Sequence, residues 1–156
     1  MLRLLSGIAA GWLLVLTTPV TAQDRDVPYW ATLRADEVNM RVGPSEDYPI
    51  AWVYRRAGLP VKVIRVREGW RLVQDPDGER GWIVARLLNP ARGAIVVGRG
   101  LAELRDAPDD QAKILWRAEP GVSGALGNCD DGWCRFDARG RRGWVKAGRL
   151  WGAGAP

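Results

Sequence analysis

No histidine occurs anywhere in this chain of 156 residues. Every nucleophilic relay that needs an imidazole base is thereby excluded, as is a metal site built on histidine. Cysteine is nearly as scarce: Cys129 and Cys134 are the two that exist. Phenylalanine occurs once and methionine twice. Positive charge is in excess, at a formal +5, yet no dense lysine and arginine run carries it. Residues such as Arg55, Arg56, Lys62, Arg65, Arg139 and Arg141 are spread along the chain. A dispersed basic surface of this kind argues against nucleic acid as the partner. It suits steering toward anionic polymers, because charge guides encounter even without specificity.

Long apolar runs are also lacking, apart from Leu4 to Leu16. That run is shorter than the roughly 20 residues needed to span a bilayer. With Arg3 before it and the small residues Val20-Thr21-Ala22 after it, residues 1–22 read as a secretory signal peptide. An uncleaved membrane anchor is the alternative, and a lipid anchor is not expected because no cysteine follows the run. The expected location is periplasmic or secreted, with no stable membrane anchor once the signal is cleaved.

Three residue types are plentiful: nineteen glycines, ten prolines and nine tryptophans. Glycine and proline punctuate short alternating apolar runs, which is the pattern of small, tightly turned β-structure. Val38, Met40 and Val42 alternate with polar neighbours, and Gly43-Pro44 then breaks the strand. Ile50 to Tyr54 forms the next strand and Arg56 to Pro60 the next turn. Val61 to Val66 alternates but slips by one residue between Val63 and Ile64, which predicts a bulge. Trp70 to Gln74 and Arg80 to Val84 pair across Asp75-Pro76-Asp77-Gly78, whose proline and glycine suit a type I turn. About five strands are expected.

An internal repeat doubles this pattern. Met40-Arg41-x-Gly43-Pro44 returns as Leu104-Arg105-x-Ala107-Pro108, Gly69-Trp70 as Gly132-Trp133, and Gly81-Trp82-Ile83 as Gly143-Trp144-Val145. Arg86-Leu87 is aligned with Arg149-Leu150. The expected layout is all-β: one small barrel over residues 33–88, a linker over 89–93 and a second, degenerate barrel over 94–151. One larger barrel is the alternative. A 60-residue unit buries only about 60% of its unfolded surface, and large tryptophan rings help to offset that.

The first copy resembles a bacterial SH3-like domain of the kind carried in short exported proteins of proteobacteria. The resemblance rests on Asn39-Met40-Arg41-Val42-Gly43-Pro44-Ser45, Asp47-Tyr48-Pro49, Trp52-Val53-Tyr54, Gly58-Leu59-Pro60-Val61, Trp70 and Gly81-Trp82. The second copy is more distant, since Ala107 replaces the glycine and the Asp-Tyr-Pro segment is missing. Its Cys129-Asp130-Asp131-Gly132-Trp133-Cys134 nevertheless is similar to the second half of such proteins. The resemblance implies a small β-barrel, binding to cell-wall peptide or protein, and no catalysis.

The residues themselves offer little catalytic material. The acid pairs Glu46-Asp47, Asp109-Asp110 and Asp130-Asp131 sit at expected turns, where acids hydrogen-bond locally, and Ser45 reads as a turn hydroxyl. Cys129 and Cys134 flank a turn and are read as a disulfide staple; a redox pair is the alternative, although the spacing is not C-x-x-C. Aromatics carry the binding expectation, because SH3-type grooves that hold proline-rich segments are lined by aromatic rings. By that resemblance Tyr48, Trp52 and Tyr54 are groove candidates, with Trp70 and Trp82 as further candidates whose strand patterns favour the core. Trp30, Trp116 and Trp151 are expected to pack one barrel on the other. The expected function is therefore an exported, non-enzymatic module that binds peptidoglycan peptide or an envelope protein, with no cofactor and no metal. A structural or accessory subunit without a groove is the alternative, and the sequence sets no oligomeric state.

Overall fold

A computed structural model describes residues 26–156; the segment read as a signal peptide lies outside the described residues. Fourteen strands are laid down in two sets of seven. The first set is β1 (Tyr29–Leu33), β2 (Val38–Arg41), β3 (Ile50–Tyr54), β4 (Pro60–Arg67), β5 (Trp70–Gln74), β6 (Arg80–Val84) and β7 (Leu88–Asn89). The second is β8 (Gly93–Val96), β9 (Ala102–Arg105), β10 (Ile114–Ala118), β11 (Ser123–Asp130), β12 (Trp133–Ala138), β13 (Arg141–Lys146) and β14 (Leu150–Trp151). The sheet orders are β3-β2-β6-β5-β4-β1-β7 and β10-β9-β13-β12-β11-β8-β14. Shifting the first list by seven gives the second, so one topology is written twice.

Seven strands per unit, rather than about five, reflect two short additions. Strand β1 precedes the motif-rich region, and β7 is only two residues long. Strand β1 lies between β4 and β7, with Trp30 opposite Lys62 and Thr32 opposite Asn89. The two additions form because Ala31, Leu33 and Leu88 bury their side chains in the first core, among Val38, Met40, Val61, Val63, Val73 and Ile83.

The repeat extends to individual hydrogen bonds. The Val42 N–H donates to the Pro49 carbonyl at 3.1 Å, and Asp106 to Lys113 at 3.0 Å. The Ala85 N–H donates to Gly69 at 2.7 Å, and Ala147 to Gly132 at 2.8 Å. Likewise Arg34 donates to Leu87 and Val97 to Arg149. This last pair, with β7 and β14 opening at Leu88 and Leu150, corrects the alignment at the tail by one residue: Leu87 matches Arg149, and Leu88 matches Leu150.

The predicted slip in β4 is a bulge. Val63 pairs with Val73 and Arg65 with Leu72, leaving Ile64 unpaired. The second unit has its irregularity at the same place, between Leu126 and Cys129. A bulge bends the strand, and here it lets β4 and β11 serve as the longest strand of each unit.

Two close approaches explain a repeated glycine. A Cβ on Gly81 would lie 2.9 Å from the Arg41 carbonyl oxygen, and one on Gly143 would lie 3.0 Å from that of Arg105. Those separations are below normal contact, so the pairing of β6 with β2, and of β13 with β9, needs a bare backbone at this point.

Cys129 and Cys134 are directly opposite each other on β11 and β12 and form a disulfide. Cys134 also sits in the second core with Val96, Leu104, Leu126, Phe136, Val145 and Leu150. In the first unit the corresponding register pair is Val66 and Arg71. That unit does not rely on packing alone there, because Arg71 Nε donates to the Tyr29 hydroxyl at 3.0 Å.

Trp30 and Trp151 join the two units edge to face, with ring centroids 4.7 Å apart. Trp30 Nε1 donates to the Gly154 carbonyl at 3.2 Å, and Arg92 donates to the Gly152 and Gly154 carbonyls. Trp116 takes no part in this junction. It is 46% exposed on β10 and lies under the Arg141 guanidinium, 5.5 Å from the ring centre.

Candidate functional site

The five aromatic candidates do not converge. Trp82 is buried at 9% exposure, and Trp70 is half-buried beside a small hollow with Glu37, Arg41 and Arg86. Tyr48 is exposed, and its ring covers the α-carbon of Gly43: a Cβ there would come within 2.5 Å of the ring. Arg41 Nη1 holds the Tyr48 carbonyl at 2.7 Å. The same clamp recurs between Arg105 and the Ala112 carbonyl at 2.6 Å. With alanine in place of the tyrosine, the glycine is no longer required, and Ala107 stands where Gly43 does.

Trp52 and Tyr54 do meet, on one cavity of about 740 Å³. Strand β3 places them on the same face, two residues apart, as the pleat requires. Trp52 is 60% exposed, the most exposed of the large hydrophobic side chains, while Tyr54 is buried. The Tyr54 hydroxyl donates to Asp75 Oδ2 at 2.9 Å. Burial, followed by this bond and the charge of Asp75, pushes the Tyr54 ionisation far above its ordinary range. The hydroxyl is therefore a fixed neutral donor.

Asp75 also organises the rim. Its Oδ1 accepts from the Asp77 and Glu79 amides at 3.0 and 2.9 Å, and the Gly78 N–H closes the turn on the Asp75 carbonyl at 3.1 Å. The loop thus presents Asp77 and Glu79, with Pro76, along one side of the cavity. The opposite wall comes from the second unit: Val97, Gly98, Pro120 and Gly121. An exposed indole beside carboxylates favours a ligand with an apolar body and a positive group.

A second depression, of about 640 Å³, shares Pro120 and Gly121 with the first. It is lined by Val122, Ser123, Ala138, Arg139 and Arg141 of the second unit and by Arg56 of the first. Arg56 Nη1 donates to the Gly121 carbonyl at 3.1 Å, on the rim that the two hollows share. None of these residues, nor the acidic loop, was among the candidates drawn from the sequence. The signal lay in comparing the repeats at one hairpin: Asp75-Pro76-Asp77-Gly78-Glu79 in the first is Ala138-Arg139-Gly140-Arg141 in the second. Among the described residues no group of three or more histidine, cysteine, aspartate or glutamate side chains could hold a metal ion.

The model of the family described as the bacterial SH3 domain matches residues 34–90 and again 99–152. The chain belongs to the bacterial SH3 domain family. A curated relative is the Bacillus subtilis (strain 168) protein named "Putative N-acetylmuramoyl-L-alanine amidase YrvJ", 23% identical over 127 residues. The match spans 75% of this chain but 24% of that protein. Among solved structures, NlpC2 from Trichomonas vaginalis is 16% identical, with a TM-score of 0.37 over 82% of this chain and 49% of that one. An NlpC/P60 family protein from Bacillus cereus ATCC 10987 is 13% identical, with a TM-score of 0.35 over 78% of this chain and 55% of that one. In this bacterial SH3 pair, no helix among the described residues is long and apolar enough to cross a membrane.

Proposed function

We propose that this protein is an exported binding module, without catalysis of its own, that takes cell-wall peptide in the Trp52 cavity. The observation that carries the reading is Trp52 itself: a large ring left 60% exposed on the lip of a cavity walled by both units. An exposed indole set at a cavity, rather than alone on a flat surface, favours a place that a partner covers. Membership of the bacterial SH3 family and similarity to a protein named as an amidase of N-acetylmuramoyl-L-alanine favour a peptidoglycan peptide as that partner. The disulfide fits an oxidising, extracytoplasmic compartment. A purely structural subunit would be expected to bury its aromatic cluster, and the exposure of Trp52 favours the binding reading over that one.

Co-sedimentation with purified, insoluble peptidoglycan tests the proposal. Wild-type protein is expected in the pellet, and Trp52→Ala, shown folded by its far-ultraviolet spectrum, in the supernatant. Wild-type protein that stays in the supernatant would overturn the cell-wall reading.

A further inference from the structure

The two hollows share one equivalent wall, made by Leu59 and the Asp75 hairpin in the first repeat and by Val122 and the Ala138 hairpin in the second. Leu59 and Val122 follow the equivalent glycines Gly58 and Gly121, whose N–H groups donate to the Leu33 and Val96 carbonyls at 2.8 Å each. Asp75 and Ala138 occupy the same hairpin position, because Val73 pairs with Gly81 and Phe136 with Gly143. Yet the two sites carry opposite charge. The first is lined by Asp75, Asp77 and Glu79 against the single cation Arg80; the second is lined by Arg139 and Arg141, with Arg56 added from the first unit and no acid.

The buried pair behind the loop changes too. Tyr54 pairs with Val38, as Ala118 pairs with Ala102. The Tyr54–Asp75 hydrogen bond is thus replaced by two buried alanines, Ala118 and Ala138. A ring and a carboxylate are removed together, and the depression lined by Ala138 opens at that end of the second unit.

Arg139 is also held where its side chain does not favour the backbone. Ala138 pairs with Arg141, so Arg139 and Gly140 form a two-residue hairpin turn with φ values of 55° and 87°. Both are positive, as a type I′ turn requires, and asparagine, aspartate or glycine is the usual first residue. The turn is kept closed by Asp137, which accepts from the Gly140 amide and from Arg142 Nε at 2.6 Å each. Arg142 is thereby paired with a carboxylate, whereas Arg139 and Arg141, the latter also over the Trp116 ring, have no carboxylate partner among the described residues and line the depression.

We infer that the hollow between Arg56, Arg139 and Arg141 is an anion subsite, and that it takes a carboxylate of a short peptide whose body and amino group lie in the Trp52 cavity. Planar guanidinium groups suit a carboxylate, and the acidic loop across the Pro120–Gly121 rim suits the ammonium group of the same molecule. A zwitterionic peptide is therefore matched at both ends, and its reversed orientation is opposed at both. This inference rests on the peptide-binding reading above and narrows it to peptides with free charged groups.

Calorimetric titration of the protein with the tetrapeptide L-Ala-γ-D-Glu-L-Lys-D-Ala, as the free acid and with its carboxylates amidated, tests it. The free acid is expected to bind roughly tenfold more tightly than the amide, the scale of one charge-assisted contact. That preference is expected to vanish in Arg139→Asn and Arg141→Gln and to persist in Arg86→Gln, which removes the same charge away from both hollows. Arg139→Asn suits the turn better than arginine, so its melting temperature is expected not to fall, and lost preference there is not misfolding. Equal affinity for acid and amide, or a preference that survives in both arginine variants, overturns the anion subsite while leaving the Trp52 reading standing. Absence of binding to either form overturns both.

Discussion

The Tyr54 hydroxyl and Asp75 form a buried hydrogen bond of 2.9 Å in the first unit, and alanine stands at both positions in the second. Removing one partner alone would leave the other buried without its bond; removing both leaves no orphan. Tyr54→Phe is therefore expected to destabilise the protein by about 1 kcal/mol. Its pH dependence follows from the raised ionisation of Tyr54. The unfolded chain releases this proton near pH 10.0 and the folded chain does not. The associated stability is complete below pH 10 and is lost as pH rises beyond it. Chemical denaturation between pH 9 and pH 11 checks this: wild type is expected to weaken more steeply than Tyr54→Phe across that window.

Tyr48 over Gly43 makes a sharper steric prediction. Gly43→Ala places a methyl group 2.5 Å from the ring and must expel it. A loss of about 1–3 kcal/mol is expected, the range for overpacking. Ala107→Gly, at the matching position of the second unit, is expected to cost less than Gly43→Ala. Thermal melts of the two variants compare them directly.

The disulfide closes a very short loop, Cys129 to Cys134. In the chain-entropy model such a loop contributes about 2 kcal/mol. Cys129→Ser with Cys134→Ser is expected to lower stability by that order, and a reducing agent to do the same to wild type but not to the double variant. Urea denaturation with and without reductant reads the difference.

Trp30 against Trp151 is the main aromatic contact between the units. Trp30→Ala removes both this contact and the bond to the Gly154 carbonyl. The variant is expected to separate the unfolding of the two units into two calorimetric transitions, where wild type shows more nearly one.

The sequence made the topology legible wherever a residue type had a single physical use. Gly81 and Gly143 mark close strand approaches that admit no side chain, the Val63–Ile64 slip marks a bulge, and the cysteines flank a hairpin. The short strands β1 and β7 were not legible, because Tyr29–Leu33 becomes a strand only by pairing with distant β4 and β7. The aromatic site was only half legible. A tryptophan in an alternating run reads the same whether it faces in, like Trp82, or out, like Trp52. The charged loops do not read as site elements in the sequence, because each has the composition of an ordinary solvated turn and their opposite charge shows only at equivalent positions of the two repeats.

Trp52, and not the other indoles, is the ring proposed to meet the ligand. Amide and indole NMR spectra during titration with soluble peptidoglycan fragments test it most directly. The Trp52 indole is expected to shift most, with the amides of Asp77 to Arg80 and of Val97 to Gly98, while the buried Trp82 indole and the Trp30 indole at the junction hold still. Shifts concentrated at Trp70 or Trp144 with Trp52 unmoved would contradict it.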